Sequence, residues 1–243
     1  MSLLVVLLAL AACLHQGVGN KATVATLSTD LPNIQKEIIS KHNDLRKRVV
    51  PSASNMLKMV WNGTAAKNAK RWADQCMFDH SPEEERTIEN GLVCGENLFY
   101  SSAPTSWSDA IQSWFDEKDD FIYGEGPKDE DLMIGHYTQL VWYKSFMLAC
   151  AFSSCDNEEY PYYYVCQYCP AGNIEGIHYY TPYAEGKPCG DCPNNCDGGL
   201  CTNPCLHQDD LANCPSLKEQ HSCNHEFVKK NCPASCQCTT EIQ

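Results

Sequence analysis

The chain has 243 residues, 17 cysteines and a formal net charge of −13. This length suits one sizeable domain with an added small module, and the acidic balance excludes nucleic acid and anionic lipid as main partners because both repel it. Sixteen of the cysteines lie beyond the first twenty residues, an even set that points to disulfides in an oxidising compartment.

In chain order, Leu3 to Leu14 form an unbroken apolar run, too short for a membrane span of about 20 residues. With Gly17-Val18-Gly19 after it, the segment 1–19 reads as a signal peptide cleaved before Asn20, so the protein is expected to be secreted. No later segment is apolar enough to span a bilayer. Ile34, Ile38, Leu45 and Val49 recur at helical spacing, so a helix is predicted over 31–49, opened near Asp30-Pro32 and closed by Pro51. Asn62-Gly63-Thr64 is a glycosylation sequon at Asn62. A second helix is predicted over 64–77, with Ala65, Ala69, Trp72, Ala73 and Cys76 on one side. A third is predicted over 105–118, with Trp107, Ile111, Trp114 and Phe115 as a core stripe.

Tyr137 to Trp142, Met147 to Phe152 and residues 160–168 are short runs rich in β-formers and read as strands. Helices followed by strands, without βαβ alternation, indicate an α+β domain with an antiparallel sheet. Residues 171–204 are rich in Gly, Pro, Asn and Cys and read as a linker. Residues 205–243 hold six cysteines and one aromatic, Phe227, so disulfides rather than an apolar core must carry that module.

The cysteines fall into three even groups: Cys76, Cys94, Cys150, Cys155, Cys166 and Cys169; Cys189, Cys192, Cys196 and Cys201; and Cys205, Cys214, Cys223, Cys232, Cys236 and Cys238. Cys166-x2-Cys169 and Cys189-x2-Cys192 have zinc half-site spacing, but disulfides are the expected state in a secreted chain. Spacing alone leaves the connectivity open, since six cysteines already allow about fifteen pairings.

Gly135-His136-Tyr137-Thr138-Gln139-Leu140-Val141-Trp142 resembles one signature of the cysteine-rich secretory protein family of the CAP superfamily, and Tyr164 to Asn173 resembles the second. Cys94-Gly95-Glu96-Asn97-Leu98 and Ser113 to Glu117 are similar to two further blocks of that family. The Leu31-Pro32-Asn33 and Val49-Val50-Pro51 neighbourhoods, with the acidic balance, look closest to its epididymal acidic glycoprotein branch. The resemblance implies an α-β-α sandwich (CAP domain) over 20–170. A disulfide-stapled hinge over 171–204 and a small, mainly helical ion-channel-regulator module over 205–243 would follow. It implies the pairs Cys76-Cys155, Cys94-Cys169, Cys150-Cys166, Cys189-Cys196, Cys192-Cys201, Cys205-Cys238, Cys214-Cys232 and Cys223-Cys236.

The resemblance also implies a shared site built from His80, Glu96, Glu117 and His136, four positions that spacing would not have grouped. Neutral imidazoles of His80 and His136 suit a weak, reversible zinc ion, with Glu96 and Glu117 orienting the rings or bound water. A metal-free hydrogen-bonded network of the same four residues is the alternative. No enzyme is expected. Two protein ligands are one fewer than catalytic zinc ordinarily has, and no serine sits in a nucleophile elbow, so a metal-dependent hydrolase is the weaker reading. His42 and His178 read as surface or core residues, and His207, His221 and His225 as scattered surface histidines.

For the tail the resemblance implies modulation of cation or calcium channels. Pore-blocking modules of this shape present a lysine beside an aromatic, and Phe227 with Lys229 and Lys230 is the candidate set. Three tail lysines stand against five carboxylates, which weighs against plain pore plugging. The expected function is therefore a secreted interaction protein of the reproductive tract. It would bind cell-surface proteins of sperm or egg and modulate cation channels, with a sterol as a further partner. A venom or salivary channel-blocking toxin is the alternative.

Overall fold

The computed structural model describes residues 22–174 and 179–243; the expected leader 1–19 and His178 lie outside them. The elements are α1 (Pro32–Arg46), β1 (Val60–Trp61), α2 (Gly63–Ala73), β2 (Gly95–Ser101), α3 (Trp107–Asp116), β3 (Phe121–Ile122), β4 (Gly126–Pro127), α4 (Gly135–Leu140), β5 (Met147–Ser154) and β6 (Tyr162–Cys169). The hinge and tail add β7 (Cys196–Asp197), β8 (Leu200–Cys201), α5 (Cys214–His221), α6 (Glu226–Asn231) and α7 (Pro233–Gln237).

The main sheet has the strand order β1-β5-β6-β2. Strands β5 and β6 are central and buried along nearly their whole length, which is why they read as continuous apolar runs and not as alternation. One face carries α2, whose Ala65, Ala69 and Ala73 are wholly buried and let the helix sit close to Ala149, Ala151 and Val165. The other face carries α1, α3 and α4, with Ile38, Ile111, Trp107, Tyr137 and Leu140 packed on Leu148, Tyr164 and Tyr168. The result is a three-layer α-β-α sandwich.

Three features differ from the sequence expectation. The sheet is not purely antiparallel, because β1 pairs with β5 in parallel. Strand β2 was not anticipated: it opens Gly95-Glu96-Asn97, residues poor in β-preference, and is held by full antiparallel pairing with β6. The Tyr137–Trp142 run is not a strand; Gly135–Leu140 is the helix α4. A short apolar run is ambiguous by periodicity, and the group that stabilises this helix comes from far away in sequence. The Glu117 carboxylate accepts from the backbone N–H groups of His136 (2.9 Å) and Tyr137 (3.0 Å), at the helix start where such donors have no intrahelical partner.

The α1 helix ends on Arg46, which is 1% exposed. Its guanidinium donates to the carbonyls of Leu57, Leu140, Trp142, Tyr143 and Ser145 at 2.8–3.1 Å, tying the helix end to two loops.

The hinge is not a free tether. Cys201 N–H donates to Met56 O and Lys58 N–H to Cys201 O, both at 2.8 Å, and Leu200 and Cys201 are fully buried. The β7–β8 hairpin turns on Gly198 and Gly199 (φ +58° and +92°), the left-handed pair a tight two-residue turn requires. The disulfides are Cys76–Cys155, Cys94–Cys169 and Cys150–Cys166 in the sandwich; Cys189–Cys196 and Cys192–Cys201 in the hinge; and Cys205–Cys238, Cys214–Cys232 and Cys223–Cys236 in the tail. The tail has a minimal core of Cys214, Val228 and Cys232. Its C-terminus docks on the sandwich through Ile242 against Leu57 and a Tyr143 hydroxyl that donates to Gln243 O at 2.6 Å.

Candidate functional site

Strand β2 is an edge of the sheet, and the His/Glu residues gather around that edge as two pairs. Side chains alternate between faces along a strand. Glu96 lies across from Gln167, and Gln167 from Ala149, so it faces the α2 side; its neighbour Asn97 faces the α3–α4 side.

On the α2 side, the loop after that helix brings His80 and Ser81 to Glu96. His80 Nδ1 lies 3.1 Å from Glu96 Oε1, which also accepts from Ser81 N–H at 2.9 Å. Glu96 Oε2 accepts from the Ser81 hydroxyl at 2.8 Å and from Gln167 Nε2 at 3.3 Å. Burial alone would raise the Glu96 carboxyl. The hydrogen bonds from His80, Ser81 and Gln167 outweigh it and hold the group below the usual carboxylate range. The loop is positioned by Trp72, whose indole N–H donates to Asp79 O at 2.8 Å.

On the other side, Glu117 Oε1 lies 2.6 Å from His136 Nδ1 while its Oε2 holds the start of α4. The Trp114 ring stacks on His136, with centroids 6.3 Å apart at 19°, and its N–H donates to the Leu98 carbonyl of β2 at 3.0 Å. Asn97 Nδ2 donates to the His136 carbonyl at 3.0 Å, so consecutive residues of β2 serve the two pairs. Gly95 is required where Gln139 of α4 seats against β2, because a Cβ there would lie 1.9 Å from Gln139 Oε1.

The two pairs share one chemistry. A carboxylate only accepts, so in the neutral imidazole each Nδ1 carries the proton and each Nε2 offers its lone pair, with no hydrogen-bond partner among the described residues. That is how imidazoles are oriented for a metal ion, and the donor set fits zinc at two positions. Among the described residues, the one cluster of three or more potential ligand atoms within 4.8 Å is Cys189, Cys192 and Cys201, and all three are in disulfides. The four His/Glu residues therefore offer two imidazoles, not a three-ligand cage. Spacing in the sequence gave no sign of Ser81, Gln167, Trp114 and Asn97, which hold the pairs in place.

Asn62 acts as the N-cap of α2: its Oδ1 accepts from Thr64 N–H (2.9 Å) and Ala65 N–H (2.8 Å), and its Nδ2 lies 3.2 Å from Met147 Sδ. The Thr64 hydroxyl donates to Glu89. Both side chains of the sequon are thus engaged in the fold. His42 is a core residue, wholly buried.

In the tail, Phe227 is 52% exposed on α6, while the next residue, Val228, fills the core. Lys229 and Lys230 are exposed on the same helix and make no ion pair among the described residues. Lys218 is drawn away to the Ser235 carbonyl at 2.6 Å. The tail histidines are not all scattered: the rings of His221 and His225 face one another at 5.5 Å.

The model of the cysteine-rich secretory protein (CAP) family matches residues 39–168, and the Crisp model matches residues 189–243. The chain is 54% identical to the cysteine-rich venom protein helothermine of Heloderma horridum horridum and 53% identical to the cysteine-rich venom protein VAR11 of Varanus varius, in each case over 100% of both chains. Among solved structures, Na-ASP-1 aligns at TM-score 0.59 and 30% identity over 70% of this chain and 47% of that one. NaASP2 with Zn2+ aligns at TM-score 0.57 and 30% identity over 76% and 98%. With a sandwich, a stapled hinge and a cysteine-rich tail each accounted for, the chain belongs to the cysteine-rich secretory protein family.

Proposed function

We propose that this chain is a secreted, venom-type protein that modulates cation channels through its cysteine-rich tail. The observation that carries this reading is the match to two venom proteins along the whole chain, tail included. Eight disulfides and membership of a secretory family are those of an extracellular protein, and no helix among the described residues is long and apolar enough to cross a membrane. Members of the family are generally non-enzymatic. The two venom relatives, matched over the whole chain, favour this reading over the epididymal branch and the role on sperm or egg expected from the sequence.

The contact surface would be α6, where Phe227 offers an apolar face beside Lys229 and Lys230, which are unpaired among the described residues. Such a side chain anchors an interface by burying area, and flanking lysines favour the acidic mouths of cation channels. Whole-cell recordings of calcium and potassium currents test it. The full chain should reduce at least one current, and Phe227→Ala or Lys229→Ala should weaken that reduction several-fold; full block by both variants would remove α6 from the contact. The same reading makes His80 and His136 weak zinc ligands through their open Nε2 atoms, supported by the relative solved with Zn2+. A zinc-dependent shift of both rings in the native chain, and its loss at the His80 ring on His136→Gln, is the check.

A further inference from the structure

We propose that His221 and His225 form a second metal site, in the tail, for a divalent transition ion such as Zn2+ or Cu2+. His221 closes α5 and His225 stands at the start of α6. Their ring centroids lie 5.5 Å apart at an interplanar angle of 46°. With a metal–nitrogen bond of about 2.0–2.1 Å and the nitrogen about 1.1 Å from the ring centre, two imidazoles on one tetrahedral ion place their centroids about 5.2 Å apart. The observed spacing lies within a few tenths of an ångström of that value.

The turn that carries the pair is fixed. Ser222 adopts φ +57°, the left-handed region rare for a non-glycine residue, and ends α5 between the two histidines. Its N–H donates to Lys218 O at 2.9 Å, and the next residue, Cys223, is bonded to Cys236. Little backbone freedom would be lost on binding an ion. Neither ring makes a hydrogen bond to a described residue, and both are exposed, so no existing bond has to be broken.

Imidazole nitrogen selects zinc and copper over calcium and magnesium, which prefer oxygen. Two rings leave coordination positions for water or for a donor on a partner protein. This pair differs from His80 and His136 in having no carboxylate on its Nδ1 atoms. It is also independent of whether α6 contacts a channel.

The test is a Zn2+ titration of the full-length, oxidised chain, following the histidine Cε1–H signals by NMR, so that the two sites are read separately. His221 and His225 should shift together along one saturable curve. His221→Gln or His225→Gln should each weaken zinc binding at the remaining ring about tenfold or more, while His207→Gln should leave the curve unchanged. Both substitutions are at exposed, unbonded rings, and the unsubstituted protein gives the reading by itself. Signals of His221 and His225 that stay still in excess zinc, or that move along two unrelated curves as isolated imidazoles would, overturn the site.

Discussion

His42 should make the fold acid-sensitive, by an amount the structure sets. Its Nδ1 donates to the Ile38 carbonyl at 2.8 Å and its Nε2 accepts from the Tyr168 hydroxyl at 2.9 Å. That hydroxyl also accepts from Asn97 Nδ2 at 3.3 Å, and Asn97 holds the His136 carbonyl. The buried chain therefore runs from α1 through the sheet to the candidate site. Burial pulls the His42 pKa down from 6.5 to about 3, and the charges of Arg46 and Lys41 push the same way against the Ile38 carbonyl. Between those two values the unfolded chain binds a proton that the native chain does not, so stability falls as pH falls. At about 1.4 kcal/mol per unit, the full effect is about 5 kcal/mol, of which about 3 kcal/mol is lost by pH 4. Guanidinium denaturation with disulfides intact, at about pH 7 and about pH 4, measures it. His42→Gln costs stability at neutral pH through the lost hydrogen bonds but removes the titration. The gap between native protein and variant should therefore close by about 3 kcal/mol on acidification. A gap that stays constant across that range refutes the assignment of a neutral, buried His42.

Other expectations follow from single contacts. Arg46→Met should destabilise by about 3–5 kcal/mol in the same assay, because the Leu57 and Ser145 carbonyls lose their donor while still buried, an effect of about 1–3 kcal/mol each; a change under about 1 kcal/mol would mean that relief of the buried charge cancels it. Glu117→Gln keeps one acceptor oxygen where Glu117 has two, so its NH2 meets either His136 Nδ1–H or the two backbone N–H groups; it should cost about 1–2 kcal/mol, with faster amide exchange at His136 and Tyr137 and unchanged exchange in β6. The Glu96 carboxyl, held low, stabilises above the ordinary carboxylate pKa, and that contribution disappears as pH drops through its folded value. Glu96→Gln should accordingly flatten the acid limb of the stability curve below about pH 4.5. The Cys214→Ser/Cys232→Ser pair opens a loop of 18 residues at the centre of the tail core. The cost should be about 3 kcal/mol, seen as proteolysis confined to residues 205–243 with the sandwich left intact.

Much of this molecule is local and was open to reading in one dimension. The 3.6-residue spacing of Ile34, Ile38 and Leu45, and of Trp107, Ile111 and Trp114, determined α1 and α3, because a helix needs only one apolar stripe to bury. The β-rich runs at 147–152 and 160–168 determined β5 and β6. Composition separated the domain with an apolar core from a tail that only disulfides can hold. The signatures around His136 and Cys166 resembled a family, and so carried the His/Glu set with them.

What the sequence left undecided depends on groups distant along the chain. Helix α4 is held at its start by Glu117, 19 residues upstream of His136, and no local pattern reports a cap from that far. Strand β2 exists because β6 pairs with it, despite residues that favour turns. The hinge reads as a linker by composition, yet its backbone joins Met56 and Lys58 in a docked ladder. Only the fold turns His80 and His136 into equivalent units, each with a carboxylate on Nδ1 and an Nε2 without a partner among the described residues, and only the fold distinguishes His221 and His225 from His207. Chain spacing determines what a helix or strand can bury; which polar atoms meet is decided by the packing of segments onto one another.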